Sequence, residues 1–340
     1  MRDSPNLDLL RSIAVGLVVF CHLAQDAGWT GPYFYVEALG SVGVAIFFVH
    51  TTLVLMQSLE RQGGAAAPFF IRRFFRIYPL AVVTVLLLTL GNWLGGVVPV
   101  DWWAVASNLL LVQNITGHPS NPPPLWSLPY EVQMYLILPA LYAMTLRPRP
   151  VLRAGLLWAA SIAVAYITSR WGYHQSALLP CFLPGILAYV LDGRVRRQFS
   201  PALLFAVVAA AALIIPIATA AGASPPTLLW ALCAVTGVLI PMCRQMETKA
   251  LAKGVKRVAT YSYGIYLTHM VAISFGLTLF PGLPLVVKLA MIAAMLIAAP
   301  RVAYRWVEKP GIELGRRLAE RWRQRGYRPH GAVPTMEEHI

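Results

Sequence analysis

Runs of about twenty apolar residues recur along this chain, the length a helix needs to cross the hydrocarbon core of a bilayer. Ten can be drawn, over residues 7–27, 38–59, 77–98, 125–145, 152–170, 177–193, 202–221, 226–244, 260–280 and 283–306. Lipid satisfies no backbone polar group, so each run must close its own hydrogen bonds as helix. The fold class that follows is all-α, a polytopic membrane bundle of about ten transmembrane helices. Composition agrees, because with 12% charged residues among 340 the chain could not clothe a water-facing surface. The first run is longer than a signal-peptide core, is followed by no small-residue cleavage site and contains Arg11 and His22, so it reads as a retained helix.

A formal net charge of +14 on a soluble surface would suggest nucleic acid. Here the basic residues cluster between apolar runs, the pattern of cytosolic loops, and nucleic-acid binding is set aside. With the N-terminus inside, alternate segments hold Arg2, then Arg61, Arg72, Arg73 and Arg76, then Arg147, Arg149 and Arg153, then Arg194, Arg196 and Arg197. The later ones hold Arg244, Lys249, Lys253, Lys256 and Arg257, and finally Arg301, Arg305, Lys309 and the run from Arg316 to Arg328. Of 28 lysines and arginines only Arg170 and Lys288 face outward, so both termini are expected in the cytosol of a multi-pass inner (plasma) membrane protein. The same parity removes residues 101–115 as a span and places them on the outer face or dipping part-way in, with Trp102 and Trp103 at the headgroups. Residues 1–310 read as one transmembrane domain and 311–340 as a basic cytosolic tail, loosely attached to the cytosolic surface or partly disordered beyond about residue 316. Cys21, Cys181, Cys233 and Cys243 show neither disulfide nor metal-ligand spacing, and no metal is expected.

Ionisable side chains within a bilayer are costly, which makes each a candidate for function. Arg11 and His22 lie eleven residues apart on one face of the first helix. His22 falls roughly 22 Å along its span from the inner boundary, and Glu131, entering from outside, about 9 Å below the outer one, so in a core of about 30 Å their depths coincide. A carboxylate beside an imidazole fixes its tautomer and raises its basicity, as a general base requires, whereas the bland reading is a structural Glu–His bond. Ser127, Glu131 and Tyr135 share one helix face beside Trp126, and Ser262, Tyr266 and His269 share another. Both stripes suit either substrate contact or interhelical polar packing. His50 is a further histidine in a span. Arg72, Arg73 and Arg76 alternate with Phe69, Phe70, Phe74 and Phe75 at the entry of the third span. They serve either as topogenic anchors or as a guanidinium clamp for phosphates.

Together these segments resemble the acyltransferase 3 family of membrane-bound O-acyltransferases. The resemblance rests on Leu7-Asp8-Leu9-Leu10-Arg11 through His22, Arg72-Arg73-Phe74-Phe75-Arg76-Ile77-Tyr78-Pro79 and Trp126-Ser127-Leu128-Pro129-Tyr130-Glu131. It continues through Tyr261-Ser262-Tyr263-Gly264-Ile265-Tyr266-Leu267-Thr268-His269 and Val307-Glu308-Lys309-Pro310, in the family's order. It implies an acyl donor, acetyl-CoA or another acyl-CoA, a hydroxyl acceptor on a glycan, glycoside, antibiotic-like or lipid-linked molecule, and a need for Arg11 and His22. One departure stands out: His50-Thr51-Thr52 occupies the place of the usual Ser-Gly pair, and Ala45 that of the usual acid.

The expected function is therefore transfer of an acyl, in the first instance acetyl, group from acyl-CoA to a hydroxyl. The candidate catalytic residues are His22, as general base oriented by Glu131, and Arg11; Arg72, Arg73 and Arg76 are assigned to the donor's phosphates, and Trp126, Ser127, Tyr266 and His269 to substrate. A variant makes His22 a transient acyl carrier. Membrane lipids surround the bundle. The rivals are a transporter or flippase without chemistry, and a membrane scaffold.

Overall fold

A computed structural model describes residues 4–29, 31–96, 99–172 and 174–326. The described residues form α-helices with short 3-10 turns and no β-sheet. In chain order these are α1 (Pro5–Asp26), α2 (Glu37–Arg61), α3 (Ala66–Leu94), α4 (Trp102–Leu110), α5 (Gln113–Thr116), α6 (Leu128–Thr145) and α7 (Pro150–Ser169). There follow α8 (Leu179–Phe182), α9 (Pro184–Leu191), α10 (Pro201–Ala220), α11 (Pro225–Met242), α12 (Lys249–Thr278), α13 (Leu285–Ala303) and α14 (Lys309–Gly326). Arg2, Arg328 and the tail residues 327–340 lie outside the described residues.

Among the described residues seven helices, namely α1, α2, α3, α7, α10, α11 and the continuous helix that begins with α13, are long and apolar enough to cross a membrane. The three other expected spans are also helical, but each is diluted or broken. Glu131, Gln133 and three tyrosines thin the apolar content of α6, α12 opens on Lys249, Lys253, Lys256 and Arg257, and the run over 177–193 is divided between a 3-10 turn, α8 and α9. The chain is thus an all-α, polytopic membrane protein.

The bundle is built around α2, which is 78% buried in its apolar window and packs against α1, α9, α10 and α11. Gly43 allows one of the closest of these approaches, since a Cβ there would stand 2.5 Å from the Ala14 carbonyl oxygen and 3.0 Å from Val18 Cγ2. Without a large hydrophobic driving force between helices in lipid, such backbone proximity is what holds them.

Residues 101–127 do not span. α4 has nine residues, with Asp101 capping its N-terminus by accepting from the Trp103 and Ala104 amides, and both tryptophans are exposed. Thereafter the segment turns inward. Buried Asn108 donates to the Ala104 and Pro119 carbonyls and accepts from the Asn121 amide, while buried Gln113 donates to the Leu125 carbonyl. Asn108 and the Gln113 amide nitrogen are thereby paired with backbone, as irregular chain at membrane depth requires, while Gln113 Oε1 has no hydrogen-bond partner. α6 consequently starts only at Leu128, below this plug.

The C-terminal helix also departs from expectation. The loose attachment anticipated beyond residue 316 gives way to a helix packed on α3, with Ala319 fully buried. α14 continues α13 through one π turn, Tyr304–Glu308, in a single rod of 40 residues over Leu285–Gln324.

Candidate active site

The site lies where α1, α2, α6 and α12 meet, on two levels. On the upper level, toward the C-terminal ends of α1 and α12, His22 faces His269. His269 Nδ1 lies 2.8 Å from the Tyr266 carbonyl oxygen and 3.3 Å from that of Ile265, so Nδ1 carries the proton and Nε2 presents a lone pair. His22 Nδ1 faces two acceptors, the Val18 carbonyl at 3.0 Å and His269 Nε2 at 3.1 Å, so it too is protonated. The consequence is chemical: in the neutral ring His22 Nε2 is the unprotonated nitrogen, the form a general base needs. The rings are 5.0 Å apart.

One turn below, Tyr266 donates to the Pro124 carbonyl at 2.6 Å and accepts from the Ser127 hydroxyl at 2.7 Å, tying α12 to the turn that starts α6. On the lower level Arg11 Nε donates to Ser262 Oγ at 2.6 Å, and Ser262 passes its own proton to the Ala259 carbonyl at 2.9 Å. Buried Glu131 accepts from the Tyr135 hydroxyl within α6, and has Arg11, Arg73 and Arg76 as its cationic neighbours. Arg76 pairs with Glu308 at 3.3 Å, and Tyr263 donates to the Ile77 carbonyl at 2.7 Å.

Two small adjoining cavities lie below the histidine pair. The lower, about 50 Å³, is lined by Arg11, His50, Arg73, Arg76, Glu131 and Tyr135 among others. The upper, about 30 Å³, is mainly apolar, with Val15, Val18, Val44, Ser127, Ser262 and Tyr266 in its walls. They share Phe47, Glu131 and Tyr263, and the upper one ends one turn short of the histidine pair. At roughly 10–15 Å³ per water each admits only a few waters, so a larger guest must move side chains. Phe47 stands at the junction, beneath the Arg11 guanidinium, which lies 5.5 Å from its ring.

The expected His22–Glu131 pair is replaced by His22–His269 above and Glu131–Tyr135 below. The reason is the plug. The sequence argument started α6 at the outer boundary, but residues 101–127 occupy that depth, which lowers Glu131 to the level of Arg11 and Ser262. Eleven residues of α1 put Arg11 about 16 Å from His22, and seven residues of α12 put Ser262 about 10 Å from His269, so the levels are distinct. Ser127 and Tyr266 line the upper cavity, whereas Trp126 is exposed, 6.3 Å from Tyr130 ring to ring, and lines neither cavity. The arginines of α3 divide as well: Arg73 and Arg76 line the lower cavity and Arg72 does not. Two groups were not read as site residues from sequence. Glu308 appeared only within a motif, and Phe47 carried no signal beyond being one apolar residue among many. His50 is buried in the cavity wall with Nδ1 free of any hydrogen-bond partner. Among the described residues no cluster of His, Cys, Asp or Glu is arranged to hold a metal ion.

Comparison with known proteins bears on this arrangement. A family model described as an acyltransferase domain matches residues 4–300. The acyltransferase MdmB of Streptomyces mycarofaciens is 29% identical, over 82% of this chain and 81% of that protein. Nodulation protein 10 of Rhizobium leguminosarum is 26% identical, over 78% of this chain and 82% of its own. The peptidoglycan O-acetyltransferase OatA of Listeria monocytogenes is 30% identical over 48% of this chain, which corresponds to 29% of that longer protein. No solved structure matches. The transporter and scaffold readings fall away, because a match over nearly the whole bundle makes this chain a member of the acyltransferase 3 family and a transferase.

Proposed function

We propose that this O-acyltransferase moves an acyl group, an acetyl in the simplest case, from acyl-CoA to a hydroxyl of a carbohydrate or small-molecule acceptor, with His22 as general base. The observation that carries the reading is the histidine pair. His269, anchored on the Tyr266 carbonyl, holds the His22 proton on Nδ1 and leaves Nε2 as the base. His22 Nε2 takes the acceptor's proton as its oxygen attacks the thioester carbonyl. When the tetrahedral adduct collapses, the carbon–sulfur bond breaks and the imidazolium returns that proton to the departing thiolate, so the proton balance closes within one residue.

Glu131 and Arg11 work one level below. Arg11 is held by Ser262 and by the field of Glu131, and with Arg73 and Arg76 it forms a cationic floor past which the donor's arm would rise toward His22. Glu131 is on this reading a positioning residue for Arg11. The arginine-rich ends of the helices face the cytosol, as the positive-inside rule requires, in a bundle of ten spans in the inner membrane with both termini inside.

The test is His22→Ala, purified in lipid nanodiscs and supplied with radiolabelled acetyl-CoA and a pool of hydroxyl acceptors. Loss of a general base lowers turnover by about 10²- to 10⁴-fold. Unchanged labelling of the acceptors by a correctly assembled variant would refute the assignment.

A further inference from the structure

Arg72, which lines neither cavity, has its charged neighbours on α14. The two helices cross in antiparallel register with almost nothing between them. A Cβ on Gly311 would lie 2.7 Å from the Phe75 carbonyl oxygen, and one on Gly315 would lie 2.7 Å from Phe75 Cβ and 3.4 Å from the Ile71 carbonyl oxygen. Gly311 meets Phe75 and Pro79 and Gly315 meets Ile71 and Phe75, so the next turns of α14 lie beside the opening turns of α3. Ala319, fully buried, continues the contact, and the charged groups around Arg72 are Arg323, Glu320 and Arg316.

Three guanidiniums thus meet one carboxylate. That carboxylate is already engaged, since Arg316 Nη1 lies 3.5 Å from Glu320 Oε1 in an exposed pair. Arg72 Nε and Arg323 Nη2 are shielded from solvent and have no acceptor among the protein groups. Unpaired guanidinium donors in a region of surplus positive charge favour a polyoxygen anion, and the planar fork of arginine matches phosphate better than any other.

We infer that the crossing of α3 and α14 is a phosphate site, formed by Arg72, Arg316 and Arg323, for the diphosphate of a soluble nucleotide-type ligand. Identification of that ligand with acyl-CoA rests on the function proposed above. The site fits that role because Arg72 is followed directly by Arg73 in the wall of the lower cavity, so a ligand gripped outside by its phosphates enters the bundle past the next residue. α14 lies beyond residue 300, where the match to the family model ends, so two of the three arginines come from outside the matched region.

Inorganic pyrophosphate and coenzyme A are the probes, titrated calorimetrically into the full chain in nanodiscs of neutral lipid. Arg72→Gln and the double variant Arg316→Gln/Arg323→Gln each lose about 10- to 100-fold in pyrophosphate affinity, the value of charge-assisted hydrogen bonds, and raise the donor KM in proportion with kcat retained. Arg72→Lys, which keeps the charge without the fork, falls between, and Arg170→Gln on the opposite side leaves both quantities unchanged. Equal pyrophosphate affinity in wild type and cradle variants overturns the site, as does absence of pyrophosphate binding by wild type. Binding confined to nanodiscs doped with phosphatidylglycerol assigns the arginines to lipid headgroups and overturns it too. Pyrophosphate held at the cradle by a protein indifferent to coenzyme A upholds the site and removes only the acyl-CoA donor.

Discussion

At the scale of residues, the protonation of His22 is decided by the groups on its Nδ1 side, and His269 is the one that can be changed without touching backbone. His269→Ala removes the acceptor that shares the Nδ1 proton, and kcat is expected to drop about 10- to 100-fold, the cost of one strong hydrogen bond, with the donor KM unchanged. His269→Gln, whose amide oxygen can accept from His22, recovers part of the loss. Steady-state kinetics of the two variants side by side check this, and equal loss in both would count against the positioning role. The rare ionisable residues of the spans were legible in the sequence because a charge in lipid is conspicuous, and Arg11, His50 and Glu131 do line the lower cavity, while His269 pairs with His22 above the cavities. Their partners were not legible. Pairing depends on the relative heights of four helices, and those are set by the plug of residues 101–127, whose inward turn is written in scattered asparagine and glutamine contacts with no periodicity to read.

Among elements, α1 and α2 form the closest pair bearing on the site, and Gly43 is the point at which they touch. Gly43→Val would drive a branched side chain into the Ala14 carbonyl and Val18, a strain of about 1–3 kcal/mol by the usual cost of overpacking. Lower thermal stability of the purified variant, followed by light scattering or tryptophan fluorescence, is the expected outcome; an unaltered midpoint would show that the helices can part freely. α2 was visible in the sequence as an apolar run, yet its place at the centre was not, because a helix apolar on every side offers no face by which to orient it. α14 was misread for the opposite reason. A basic, polar segment looks like a solvated tail, and only the spacing of Gly311 and Gly315 hints that one side lies flush against another helix.

Across the whole molecule, the alternation of basic and nearly uncharged loops makes a definite statement about sides. All four native cysteines are buried and unpaired, which gives a quiet background for labelling. Arg170→Cys, in an exposed position after α7, is expected to react with a membrane-impermeant maleimide in intact cells, and Arg196→Cys, exposed between α9 and α10, only after the membrane is opened. Reaction of both from one side would remove the ten-span thread and with it the sidedness of the donor. The all-helical architecture was legible because runs of about twenty apolar residues admit one solution in lipid. Among the described residues seven helices meet the length and hydropathy of a span, and α6 and α12, which complete the site with α1 and α2, fall short because of the polar residues they carry.

The π turn between α13 and α14 has a bearing of its own. Five residues there, Tyr304–Glu308, set the azimuth at which the following rod leaves the bilayer. Each residue of an α-helix advances the phase by about 100°, so a gain or loss of one in this turn would swing Gly311 and Gly315 off their track and present bulkier neighbours to α3. Apart from Glu308, which is tied to Arg76, tolerance in this stretch is therefore a matter of counting: the number of links between the two helices is fixed, like the teeth between two meshed gears.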